Sequence, residues 1–511
     1  MSGEDFFSIM LSYTFSSVQR YNYFFSFSHF CAIIYGFLEK MPTFAAVKRY
    51  LLCLILVLAV FVPSHGGSPV SSLVSALTTF GLPVVEVTTV DEEEPTYEDA
   101  DAPEGCLGGS IRNAVKVPGR VTMCDDTGVF FDSGPYEKSV SGMTIKVRGN
   151  WSARRPQKPF KIKLQRPANM LIPAVGSHAD RNWLLMPFFD LRMMVGLKVS
   201  ELMGMPWTPQ FRFVNLVFNG RYHGLYMLME SVERNPACRL DVSESGFIAE
   251  LDAYWWNEDV YAKATFEEPL NYTFKYPDEK DLTSERLDSI QRILSAAEHS
   301  MLDGTYQSHI DVESFARWML AHDILGNKDG AGSNMYLTKY DDSDSTLLRM
   351  DCLWDLDVIM ESEGWDELHD RYFFGRMFHN SNRAFTDCYI ALWDEMKDHV
   401  TDEIMQFLDD YMQSELRQAI DASIRLNNDR WAREQYALPF SDDFIEEAQN
   451  WFLTRRGWLD FAIHDPVSIR PVLQHKDSQQ SYDLFGRKIA NSQSLSRRAI
   501  YIQNGKKRMN R

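Results

Sequence analysis

The chain has 511 residues, 45% hydrophobic and 13% aromatic, which excludes a disordered or low-complexity protein and allows two to three domains. A formal net charge of −19 argues against a nucleic-acid binder. The charge is uneven: residues 467–511 carry ten Lys and Arg against two Asp and Glu, so the tail is near +8 and the rest near −27.

The first 40 residues are aromatic and Ser-rich without a period, and 1–40 reads as a misassigned extension. A different pattern opens at Met41. Lys48 and Arg49 precede an apolar run from Tyr50 to Val62, and Pro63-Ser64-His65-Gly66 follows. Basic start, short apolar run and small polar exit make a secretory signal over 41–66. The run is shorter than an ordinary membrane span. The alternative is an anchor that stays in the membrane. The expectation is a secreted or cell-surface protein that meets the membrane only during export or at the surface.

An acidic linker is expected over 67–105, because Glu86 to Glu104 holds nine acidic residues, no basic one, and prolines at 95 and 103. Five of the seven cysteines (Cys106, Cys124, Cys238, Cys352 and Cys388) lie beyond the signal. Their odd number and wide spacing exclude a small-domain disulfide framework. Cys106 and Cys124 are the one close pair for a bridge in an oxidising compartment. With no C-x-x-C or H-E-x-x-H, no zinc site is expected.

Residues 106–235 read mainly as β. Gly142 to Arg148 alternates, Gly149-Asn150-Trp151-Ser152 interrupts, and Pro159 to Leu164 alternates again. Phe160, Ile162 and Leu164 share one strand face, and Lys161 and Lys163 the other. Arg148, Arg154, Arg155 and Lys158 surround the connecting loop. Such a cationic mouth suits phosphate, and equally a solvated basic face. Asp190 to Met203 reads as a helix. Val214 to Phe218 and Leu225 to Met229 flank the turn Asn219 to Gly224 as a hairpin, followed directly by Glu230 and Glu233.

From about 240, over 236–466, helices are expected to dominate: Thr283 to Met301, Asp311 to Leu325 with Asp311 as N-cap, then 382–397, 400–426 and 440–462. After the second of these comes the polar loop Asn327 to Asn334. Two strand-like runs, Met335 to Tyr340 and Thr346 to Leu353, lead to Trp354-Asp355-Leu356-Asp357. Asp329 and Asn334 are five residues apart, and a hairpin would return Asp355 to their side. Phosphoryl-transfer sites place a proton acceptor and two metal ligands in this order.

Several motifs together carry a family resemblance. Ile145 to Ser152, Pro156 to Lys163, Val217 to Glu230, Asn327 to Asn334, and Trp354 to Asp357 occur in the order of the signatures of the CotH spore-coat kinase family. The similarity spans roughly 107–465. It implies an α+β, bilobal, atypical protein-kinase-like fold with a β-rich N-lobe (106–235) and a mainly helical C-lobe (236–466). It also implies ATP and Mg²⁺ or Mn²⁺ as cofactors and a protein substrate with a Ser or Thr acceptor. Carried onto this sequence, Asp329 would be the catalytic residue, and Asn334, Asp355 and Asp357 would bind metal. Lys161 or Lys163 would bind the nucleotide phosphates, with Arg148, Lys158 and Glu230 nearby. Leu353 stands where the family usually has Pro. The G-x-G-x-x-G of ordinary kinases is absent, so the loop from Arg148 to Ser152 would cover the phosphates.

The basic tail, 467–511, resembles a Bacteroidetes-type C-terminal sorting module through Ser481 to Ile489 and Ala499 to Lys507. That resemblance implies a bacterial surface protein; the alternative is a short β appendage. Two other functions stay open at this point. One is a non-catalytic surface binding protein on the same scaffold. The other is a hydrolase using the Asp355 and Asp357 carboxylates, which nothing else in the sequence supports.

Overall fold

The computed structural model describes residues 69–171, 178–264, 270–327, 329–330, 333–365, 367–434 and 437–465, with four short strands beyond. The expected extension and signal lie outside the described residues, as does most of the tail. Among the described residues no helix is long and apolar enough to cross a membrane.

The architecture is mixed α and β, with a β-rich N-terminal region and a helical C-terminal region. Eight strands form the first region: β1 (Val84–Thr89), β2 (Val117–Asp125), β3 (Gly128–Asp132), β4 (Met143–Val147), β5 (Phe160–Ala168), β6 (Asp180–Pro187), β7 (Phe211–Phe218) and β8 (Arg221–Glu230). Their order is β1-β7-β8-β6-β5-β4-β2, with β3 beyond β2. Strand β1 pairs in parallel with β7 and antiparallel with β2, which closes seven strands into a barrel. Closure removes the free edges that an open sheet would expose. The alternation read from the sequence fills one apolar cluster with Ile145, Val147, Phe160, Ile162, Leu164 and Tyr226. Lys146, Lys161 and Lys163 take the opposite face.

Closure corrects the expected linker over 67–105. Val84, Val85 and Val87 are fully buried in β1, and Glu86 beside them is half-buried, its carboxyl pushed up by that burial. The run of acids masked a strand whose partners lie far away in sequence. Downstream, Glu98–Asp99 pairs with Ile111–Arg112. Cys106 and Cys124 are free thiols.

The β7–β8 hairpin turns at Asn219 and Gly220, both left-handed at φ 45° and 70°, the conformation a two-residue hairpin turn requires. A register shift follows between Tyr222 and Gly224. There Leu225 N–H donates to Asn427 Oδ1 at 2.8 Å, and Leu225 O accepts from Gln157 Nε2 at 3.0 Å. The bond to Asn427 ties the barrel to a helix of the second region, and the bond from Gln157 holds the β4–β5 loop against β8.

That region holds α2 (Ser284–Asp303), α3 (Val312–Leu325), α4 (Tyr372–His379), α5 (Ala384–Gln413), α6 (Glu415–Trp431) and α7 (Ser441–His464); α1 (Arg192–Leu202) precedes them. Thr283 caps α2 by accepting from Arg286 N, and Asp311 caps α3 by accepting from Ser314 N. A second sheet, which periodicity did not indicate, joins β9 (Phe247–Leu251), β10 (Ala262–Lys263), β11 (Asn271–Tyr276) and β12 (Met335–Lys339) in the order β10-β11-β9-β12. All five residues of β9 are buried, so it shows no alternation. The expected hairpin after β12 is only partly a ladder, because the returning arm makes one bridge, Thr338 with Arg349. In the tail, Ser481–Tyr482, Lys488–Ile489, Ile500–Gln503 and Lys506–Met509 form an antiparallel sheet.

Candidate active site

Helix α3 ends at Gly326 in the left-handed conformation, and the loop carrying Asp329 begins there. Asn327 is buried, and its Oδ1 accepts from Asp329 N at 3.0 Å, which fixes the loop's first turn. Gly330 lies on the His322 ring: a Cβ on it would stand 2.7 Å from His322 Nδ1. His322 packs tilted against Trp318 with ring centroids 4.0 Å apart, and burial holds its imidazole down near pKa 3, so it is neutral. The Asp329 loop therefore rests on a buried aromatic floor, while Asp329 itself is exposed.

Asn334 and Asp355 both have positive φ, 67° and 56°. Neither is glycine, so each conformation costs on the order of 1 kcal/mol, and such strain persists where surrounding contacts enforce it. The Asn334 N–H points to Glu250 Oε1 at 3.4 Å, and Glu250 Oε2 accepts from Lys275 at 2.7 Å. The second sheet thus braces the residue that opens β12.

These groups meet in one cavity of about 1210 Å³. Its lining includes Asp329, Asn334, Asp355 and Asp357 together with Arg148, Lys146 and Lys161. Lys161 Nζ is 2.8 Å from Glu233 Oε1, a part-buried ion pair in the cavity wall. Trp151, 62% exposed, stands in the loop between β4 and β5 and also lines the cavity.

Burial raises the Asp355 carboxyl, and the neighbouring Asp357 raises it further; Arg148 opposes both. Asp357 is likewise raised by burial, with Arg155 opposing. Asp252, also in the lining, is pushed up to about 6 by burial and then by Glu250. Lys146 is lowered by burial and by Lys161. Burial disfavours the Lys275 charge, yet Glu250, Asp252 and Glu258 turn its net shift upward. The cavity holds carboxylates and cations close together, with Lys161 paired to Glu233 and Lys275 to Glu250.

The sequence model of one family, described as CotH kinase protein, matches residues 145–459, more than half of the chain. The chain belongs to the CotH kinase family. A search of curated proteins finds no match.

The CotH residues carried over from sequence divide into two groups. Asp329, Asn334, Asp355, Asp357, Arg148 and Lys161 line the cavity. Lys163, Lys158 and Glu230 lie outside the lining. Lys163 is exposed, two residues further along β5, opposite Asn182 and Thr144. Lys158 turns its ammonium to Ala153 O at 3.0 Å, Arg155 O at 3.3 Å and Tyr97, and so braces the loop at 149–155. Glu230 is fully buried and accepts from Trp207 Nε1 and Gln210 N.

Glu233, Glu250 and Lys275 were not legible as site residues. Glu233 follows Glu230 by three positions, and that adjacency was its one signal. Glu250 and Lys275 sit on strands without alternation.

The donor set suits a hard divalent cation. Asp355, Asp357 and Asn334 offer oxygen atoms, and the two carboxylates repel each other without a cation between them.

Proposed function

We propose that this CotH-family chain transfers the terminal phosphoryl group of ATP to a Ser or Thr hydroxyl of a protein, on a bilobal kinase-like scaffold. The observation that carries this reading is the convergence of Asp329, Asn334, Asp355 and Asp357 on the same cavity as Arg148 and the Lys161–Glu233 pair. Lys161, fixed by Glu233, binds phosphate oxygen as a point charge. Arg148 adds a second cation, and the loop from Arg148 to Ser152 covers the phosphates. Asp329, exposed at the rim, orients the acceptor hydroxyl and takes its proton. The hydroxyl oxygen forms the new bond to phosphorus, the bond to the bridging oxygen of ADP breaks, and the proton passes from Asp329 to solvent. Mg²⁺ or Mn²⁺, held by Asn334, Asp355 and Asp357, supplies neutralisation of phosphate charge when bound. The signal pattern over 41–66 and the sorting-like tail support export, with action on a secreted or surface protein.

The test is incubation of purified chain with labelled ATP and Mg²⁺ or Mn²⁺, alone and with candidate acceptor proteins. Metal-dependent label on Ser or Thr, lost in Asp329→Asn, is the expected result. Nucleotide binding without transfer under all conditions would favour a non-catalytic binding protein.

A further inference from the structure

Outside the cavity lining, three side chains from separate segments converge. His178 lies just ahead of β6, Glu230 ends β8, and Cys238 sits in the turn at 236–238. Their donor atoms all lie within 4.8 Å of one another, and His178 Nδ1 is 3.0 Å from Glu230 Oε1. We propose that His178, Glu230 and Cys238 bind a Zn²⁺ ion, with solvent as the fourth ligand.

The donor chemistry selects the metal class. A thiolate, an imidazole and a carboxylate form a set of mixed softness that suits zinc and poorly suits Mg²⁺ or Ca²⁺. Bonds of zinc to these atoms place tetrahedral ligands roughly 3–4 Å apart, against a His178–Glu230 separation of 3.0 Å and an upper bound of 4.8 Å for all three pairs. The carboxylate is already oriented: Glu230 Oε2 accepts from Trp207 Nε1 at 3.2 Å and Gln210 N at 3.0 Å, which leaves Oε1 toward His178.

Charge points the same way. Arg239 is fully buried, with Nε 3.7 Å from Glu230 Oε1 and Nη1 3.6 Å from Asp180 Oδ1. One guanidinium beside two carboxylates leaves a negative charge uncompensated. Zn²⁺ with a Cys238 thiolate adds one positive charge and brings the cluster to neutrality. Cys238 is a free thiol that burial and Glu230 push up to about 11, so it becomes a ligand only when a cation displaces its proton. A spacing search along the sequence misses the site because its ligands spread over 178–238. An ion there ties the turn that follows Glu233 to the start of β6, and so steadies the partner of Lys161.

The test uses the purified full chain, stripped by chelator and reloaded with Co²⁺ or Zn²⁺. Co²⁺ is expected to give a thiolate charge-transfer band in the near ultraviolet and the visible bands of tetrahedral cobalt. Cys238→Ser should abolish the charge-transfer band, and His178→Gln should weaken Zn²⁺ binding at least about tenfold. Asp355→Asn, in the cavity, should leave both signals unchanged, which separates this site from the proposed catalytic metal. Alkylation of Cys238 in the wild-type chain, followed by peptide mass spectrometry, should slow at least tenfold with stoichiometric Zn²⁺. That readout does not depend on any variant folding. A cobalt-loaded wild-type chain without a thiolate band, or an alkylation rate indifferent to Zn²⁺, overturns the proposal.

Discussion

Lys161 on β5 and Glu233, three residues past the end of β8, meet at 2.8 Å in the wall of the cavity. The pair is part-buried, so its geometry is held more firmly than that of a surface ion pair. Glu233→Gln retains the shape and removes the charge that fixes the ammonium. Nucleotide affinity should fall roughly tenfold, with thermal stability changed by less than about 1 kcal/mol. Fluorescent-nucleotide titration beside a melting curve checks this. An unchanged affinity would show that Lys161 needs no partner to bind phosphate.

Asp329 and Asp355 should separate in kinetics. Asp329→Asn should lower turnover by roughly a hundredfold or more at nearly unchanged nucleotide affinity, because a general base acts in the chemical step. Asp355→Asn should instead weaken metal-dependent nucleotide binding, since the cation loses an anionic oxygen. Titrations with and without Mg²⁺, set against rates of transfer, distinguish the two. Equal effects on binding from both variants would contradict the assignment.

The crowding of Asp357 against Asp355 has a cost in the metal-free chain. Asp357→Asn removes a buried like-charge neighbour, so without divalent cation the variant should melt at a higher temperature than wild type. The rise in melting temperature that Mg²⁺ gives the wild type should shrink. Calorimetry with EDTA and with Mg²⁺ provides both halves. A variant less stable than wild type in EDTA would mean that Asp357 serves packing and not the cation.

Glu298 offers a pH test away from the cavity. Its carboxyl is 2% exposed, accepts from Tyr272 OH at 2.5 Å, and is pushed up to about 8 by burial. A folded-state pKa above the unfolded value means that the stabilising contribution is complete below the unfolded pKa and is lost as pH rises through the folded one. Wild-type stability should therefore decline between roughly pH 4.5 and 8, by about 1.4 kcal/mol for each pH unit in the window from this group. Glu298→Gln should flatten that decline. Denaturant midpoints measured at several pH values would reveal a slope that survives the substitution, if the assignment is wrong.

The cavity positions of Asp329, Asn334, Asp355 and Asp357 were legible because their signals are local. Asp329, Asn334, Asp355 and Asp357 stand at fixed spacings after a capped helix, and the Asp311 cap and the Asn219-Gly220 turn are each complete within four residues. Helical periodicity gave most of the helices for the same reason, but it missed α4 and placed a break near 398–399, where α5 runs unbroken over Ala384–Gln413. Strand β9 escaped notice because burial on both faces erases alternation, and β1 because acidic residues follow its valines directly.

The sequence by itself thus determined the family, the helical C-terminal region and the cavity positions of Asp329, Asn334, Asp355 and Asp357. Only the tertiary structure decided that β1 runs parallel to β7 and closes a barrel, since nothing in Val84–Thr89 names a partner 131 residues away. It also put Lys161 in the cavity lining and left out Lys163, which shares its strand face, and it lined the cavity with Glu233 where the sequence pointed to Glu230. In each pair the sequence fixes chemistry and periodicity. Barrel closure and the turn after β8 then set which side chain enters the cavity, because those depend on contacts between segments far apart in the chain.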